Sequence, residues 1–178
     1  MRPLLGATAA VALLLLAGCS SDDATDKPSA QESQAAAVAW SPCDALTAES
    51  VAKLVGEPLN EADGSADQPR CTFTPQRKGG AAYDLSYLWF DGGLDAALTA
   101  MGAAGDQLES ADVPGAEAAR IVVDAQGDKG LLVTAFVQTK GLVQSVNAVQ
   151  LAPYDEKAVV AGTKALLAEL AAQAPASP

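Results

Sequence analysis

Three β-branched-rich runs, residues 119–123, 131–138 and 142–151, follow one another with only two short glycine-bearing links between them. Gly127-Asp128-Lys129-Gly130 lies in the first link, and Thr139-Lys140-Gly141 makes the second. Links this short turn the chain back on itself, so the runs are expected to pair as antiparallel hairpins. A hairpin sheet must cover at least one of its faces, and the rest of the chain is read for elements that do so.

Upstream, Ser41-Pro42-Cys43-Asp44 reads as a helical turn, with serine as cap, proline at the first position and aspartate against the positive end of the dipole. Thr47 then caps a longer helix through Val55, in which Val51, Leu54 and Val55 share a face. Gly56 and Pro58 end it. Residues 60–70 read as a polar loop, and 71–74 as a strand followed by a turn over 76–80. Residues 83–90 carry Tyr83, Leu85, Tyr87 and Trp89 on one face and Leu88 and Phe90 on the other, which suits a central strand. Gly92-Gly93 breaks that strand, and Leu94, Ala97, Leu98 and Met101 form the stripe of a short helix. Residues 109–113 read as a short strand closed by Pro114-Gly115. A final helix starts near Asp155 and presents Val159, Thr163, Leu166 and Leu170 on one side. Strands bracketed by helices in this order predict an α+β single domain: an antiparallel sheet of about five strands covered by two or three helices. The domain is expected over residues 40–174, with a disordered tail at 175–178.

The N-terminus has a different character. Arg2 precedes an apolar stretch from Leu4 to Leu16, about 13 residues long, and small residues follow. This is the layout of a signal peptide over residues 1–18, and the stretch falls short of the roughly 20 residues a membrane-spanning helix needs. No twin arginines are present, which favours the general secretory route. Leu16-Ala17-Gly18-Cys19 resembles the bacterial lipobox. That resemblance implies that the thiol of Cys19 takes a diacylglycerol, that the preceding peptide is removed, and that the protein is anchored in the cell membrane at its extracytoplasmic face. Two acyl chains meet the requirement for stable anchoring. Residues 19–39 then form a lipidated start and a disordered tether, whose r.m.s. span is roughly 25 Å for about 20 residues.

With Cys19 assigned to lipid by that resemblance, Cys43 and Cys71 remain as an even pair in an oxidising compartment. They are expected to form a disulfide, worth about 3.5 kcal/mol in the chain-entropy model; two buried thiols are the plainer alternative. Two cysteines in a chain without histidine do not make the usual zinc set, and no metal or other cofactor is expected. The leader holds one cation, Arg2, and no acid, so the formal charge of −11 becomes −12 once it is removed. Such a chain repels nucleic acid, which is excluded as a partner.

Taken together, the lipobox, the acidic linker, Pro42-Cys43 opening a helix that ends in Leu54-Val55-Gly56, Cys71 at a strand start with Phe73 two residues on, Val113-Pro114-Gly115-Ala116-Glu117-Ala118-Ala119 before the hairpins and an alanine-rich last helix resemble the small, uncharacterised actinobacterial lipoproteins with a Pro-Cys…Cys domain of unknown function. The resemblance spans most of residues 19–170. It implies an extracytoplasmic lipoprotein and brings no catalytic residues with it.

The absence of histidine removes Ser-His-Asp and Cys-His catalysis. Ser50-Val51-Ala52-Lys53 has S-x-x-K spacing, but the S-D-N and K-T-G motifs that accompany it in penicillin-binding enzymes are missing, and a solvated helix face accounts for it. Asp106, Glu109 and Asp112, and Asp124 with Asp128, do not match a calcium loop. Arg70, Arg77 and Lys78 are expected to lie close together and to balance the acidic surface. Tyr83, Tyr87 and Trp89 are the candidate ligand-facing aromatics, with the domain core as their alternative destination. The function expected is therefore non-enzymatic: a membrane-anchored envelope lipoprotein that binds a protein or envelope component. A carrier or sensor of an apolar small molecule is the alternative, and a hydrolase a third reading.

Overall fold

The computed structural model describes residues 40–65, 67–102 and 107–176. The leader, Cys19, the tether and Asp106 lie outside the described residues. A 3-10 helix, Pro42–Asp44, precedes α1 (Ala48–Val55), β1 (Leu59–Ser65), β2 (Gln68–Pro75), β3 (Ala82–Trp89), α2 (Leu94–Ala100), β4 (Glu109–Ser110), β5 (Ala118–Ala125), a 3-10 turn (Gly127–Lys129), β6 (Leu131–Thr139), β7 (Leu142–Gln150) and α3 (Glu156–Ala172). All the strands join one sheet in the order β1-β2-β3-β7-β6-β5-β4, and every neighbouring pair is antiparallel. The α+β single domain with a helix-covered antiparallel sheet is thus as the sequence indicates.

The sheet has seven strands rather than about five. The main addition is β1, cut from the segment read as a polar loop. Its only buried side chain is Leu59, so no alternation marks it. Backbone pairing with β2 makes it a strand, from Leu59 opposite Pro75 to Asp63 opposite Cys71. As an edge strand it carries Glu61 and Asp63, charges of the kind that discourage pairing with another chain.

Local signals place the helices. Thr47 and Ser50 form a reciprocal capping box at the start of α1, with N–H to Oγ distances of 3.2 and 3.0 Å, and Gly56 ends the helix in the left-handed region at φ 79°. Asp155 caps α3 by accepting from the Ala158 N–H at 3.0 Å. Val159, Leu166, Leu167 and Leu170 of α3 are buried against the sheet, each such side chain contributing about 1.5–3 kcal/mol.

The two sheet faces differ. The inner face, under α1 and α3, holds the main core: Cys71, Phe73, Tyr83, Leu85, Val133, Ala135 and Val146 are among its members. On the outer face α2 covers one end only, where Leu94, Ala97 and Leu98 pack on Phe136 and Val143 with Leu88 and Phe90 beside them. The alternation of residues 83–90 therefore feeds both cores.

Candidate functional site

Three places in the domain gather polar or aromatic side chains with chemical potential. The first is the disulfide. Cys43 and Cys71 are bonded, with their Cα atoms 5.2 Å apart. The 3-10 helix lowers Cys43 onto the inner face of β2 at Cys71, which is fully buried. Asp63 stands directly opposite Cys71 across the β1–β2 pair, and Glu61 opposite Phe73, so both carboxylates share the disulfide's face of the sheet. One ligand atom from each of Cys43, Glu61, Asp63 and Cys71 falls within 4.8 Å of all the others. Glu61 also accepts from the Ala48 N–H at 2.6 Å, at the start of α1. Neither carboxylate was legible as part of a site, because both lie in the segment without strand periodicity.

The second place is the aromatic side of β3. Tyr83 is only 2 % exposed, beneath α3, and its hydroxyl is pushed up to about 12, first by burial and then by the negative charge of Glu57. Tyr87 is half-buried, and its ring meets the edge of Trp40 at a centroid distance of 5.0 Å and an interplanar angle of 66°. Its hydroxyl is also raised, by burial and then by Asp44. Trp89 is half-buried at the end of the strand. Beside them, Gln144 is fully buried on β7, opposite Tyr87, and donates from Nε2 to the Leu170 carbonyl of the last turn of α3 at 2.9 Å. This tie between the helix end and the sheet is a feature the sequence reading passes over. Its only trace there is a glutamine at an inward position of an otherwise apolar run.

The third place is the part of the outer face that α2 leaves uncovered. Thr72, Asp84, Asn147 and Thr134 are successive partners across β2, β3, β7 and β6, and so form one transverse row. Thr72 donates to Asp84 at 2.9 Å, Thr134 bonds Asn147 at 3.0 Å, and in the next row Ser86 and Ser145 share a bond of 2.8 Å. Arg70 closes the end of this surface through an ion pair with Asp84 at 3.2 Å. Val149 flanks the row at 44 % exposed and Leu151 at 69 %.

Other candidates resolve into structural roles. Ser50 is engaged in the capping box, its hydroxyl donating to the Thr47 carbonyl at 2.9 Å, while Lys53 pairs with Glu49 at 2.7 Å, which holds the Glu49 carboxyl below its ordinary range. Arg70 does not join Arg77 and Lys78. It sits near one end of β2, and they lie in the turn beyond the other, because an extended strand separates its ends by about 3.3 Å per residue. Asp124 accepts from Gln126 at 2.7 Å, and Glu109 and Asp112 are exposed. Among the described residues no helix is long and apolar enough to cross a membrane.

Comparison with curated proteins and with solved structures finds no match. A family model does match, over residues 14–172, so that it takes in the disulfide, all seven strands of the sheet and the last helix. The chain belongs to the family described as "Protein of unknown function (DUF3558)".

Proposed function

We propose that this chain is a lipoprotein of the cell envelope, held by lipid on Cys19 at the extracytoplasmic face of the membrane, whose domain binds a protein or envelope component rather than catalysing a reaction. The observation that carries the binding role is the uneven covering of the sheet. α2 shields one end of the outer face, and the remainder presents the half-buried row of Thr72, Asp84, Asn147 and Thr134 beside the exposed Val149. Polar groups at fixed register with an apolar neighbour make a surface able to recognise a partner. The Cys43–Cys71 disulfide suits an oxidising compartment, and the acidic chain disfavours nucleic acid.

The carrier reading has less support. Tyr83 and Leu85 are enclosed beneath the helices, and Tyr87 already has Trp40 against it. A hydrolase finds no histidine to act as base.

The test is capture from crosslinked envelopes, comparing the wild type with Val149→Arg and with an unrelated domain on the same leader and tether. A partner retained by the wild type and lost from Val149→Arg is the expected result. Equal recovery with the unrelated domain would overturn the binding role. For the anchor, Cys19→Ala should move the protein to the soluble fraction, and continued detergent-sensitive membrane fractionation of that variant would count against it. Native mass spectrometry of protein from its own host adjudicates the carrier reading, which requires a retained apolar ligand.

A further inference from the structure

We infer that the disulfide corner is a redox-gated site for a zinc-like divalent cation, closed while Cys43 and Cys71 are bonded and opened when a dithiol reduces them. Three separate segments converge there: the 3-10 helix brings Cys43, β2 brings Cys71, and β1 brings Glu61 and Asp63. Their ligand atoms lie within 4.8 Å of one another, compact enough for four donors around one ion at ~2.3 Å for sulfur and about 2.0–2.2 Å for carboxylate oxygen. Two thiolates and two carboxylates suit a borderline-soft, tetrahedral cation, and exclude calcium and magnesium, which take oxygen alone. Here the carboxylates stand where histidines would complete the more usual zinc set.

Gating follows from the sulfur chemistry, since thiolates and not disulfide sulfurs are the metal ligands. Cys43 is half-buried and Cys71 fully buried, so the incoming thiolate attacks Cys43 Sγ, the S–S bond breaks, and Cys71 leaves as thiolate. The second thiol of the reductant then attacks its own sulfur in the mixed disulfide and releases Cys43. The reductant departs as a cyclic disulfide, two electrons having passed to the protein, and its two protons end on the cysteines. Cation binding returns those two protons to water. In the oxidised protein, Glu61 and Asp63 remain as the exposed half of the site, with one oxygen of Glu61 on the Ala48 N–H. Its other oxygen faces no competing bond among the described residues.

The experiment reduces the purified domain-bearing chain with dithiothreitol, removes the reductant by anaerobic desalting, and titrates with Zn2+ against a chromogenic chelator. Wild-type protein and Glu61→Gln/Asp63→Asn, which keeps both cysteines and the disulfide, are compared in oxidised and reduced form. The reduced wild type is expected to bind one Zn2+ per chain, the oxidised form none, and the reduced double variant at least ten-fold more weakly. Equal affinity of the two reduced proteins would overturn the inference, because the cysteines alone would then account for binding, whether the chain were folded or not. No binding by the reduced wild type would overturn it as well. None of these outcomes bears on the anchor or on the outer face, so the inference fails or stands independently of the proposed function.

Discussion

Tyr83 on β3 presses its hydroxyl against the bare backbone of Gly162 on α3: a Cβ at residue 162 would lie 3.1 Å from Tyr83 Oη and 3.2 Å from Val55 Cγ1. The missing side chain is what lets α3 settle onto the inner face of the sheet between α1 and β3. Glycine inside a helix ordinarily costs about 1 kcal/mol relative to alanine, and here the close approach offsets that cost.

Gly162→Ala should therefore destabilise the domain by about 1 kcal/mol, against the usual sign for a helix interior, because overpacking a filled core typically costs about 1–3 kcal/mol. In a Tyr83→Phe background the same substitution should cost less, since the hydroxyl is gone. Urea denaturation of the four proteins gives the coupling directly, and strict additivity would show that Tyr83 is not the obstacle.

The pH dependence of stability should carry the mark of Tyr83. Its pKa rises from 10.0 to about 12 in the folded protein, so between those values the folded state holds a proton that the unfolded state has lost. The stabilisation is fully present below pH 10, falls as pH rises, and is gone above about 12, an effect on the order of 2 kcal/mol. Tyr83→Phe should flatten this part of the profile. Denaturation midpoints across alkaline pH, alongside the ultraviolet absorbance of tyrosinate, provide the measurement.

In the β6–β7 hairpin, Lys140 adopts φ 51°, the only positive value found outside glycine among the described residues, and Gly141 follows at 78°. That left-handed pair belongs to a turn in which Asn-Gly is preferred. Lys140→Asn should raise stability by roughly 0.5–1 kcal/mol, seen as a higher melting temperature. The Lys140 backbone N–H donates to the Glu117 carboxylate Oε1 at 3.3 Å, a bond that needs no Lys140 side chain and survives the change.

Removing the disulfide as Cys43→Ala/Cys71→Ala should cost about 3.5 kcal/mol for a loop of this size. Cys71 is fully buried, so the alanine pair also leaves a small void under the 3-10 helix. A dithiol added to the wild type should reproduce most of the loss in a thermal melt, and leave the alanine variant unchanged.

Features written in short-range chemistry were legible before any fold was known. The links at residues 127–130 and 139–141, the Thr47 cap, the helix start near Asp155, the glycine stop at residue 56, the two-faced pattern of β3 and the β-branched runs of β6 and β7 all follow from turn geometry and periodicity over a few residues. The pairing of the two domain cysteines was legible as well, because no third domain cysteine competes. The remaining features depend on contacts between segments far apart in the chain. β1 exists because β2 offers it backbone hydrogen bonds, not because its own side chains demand a strand, and with β1 come Glu61 and Asp63 beside the disulfide. Whether Tyr83 or Tyr87 is enclosed depended on which sheet face α3 and Trp40 would cover, and the same choice left the Thr72–Asp84–Asn147–Thr134 row open. Alternation states that two residues share a face; only packing of distant segments says what lies on top of it.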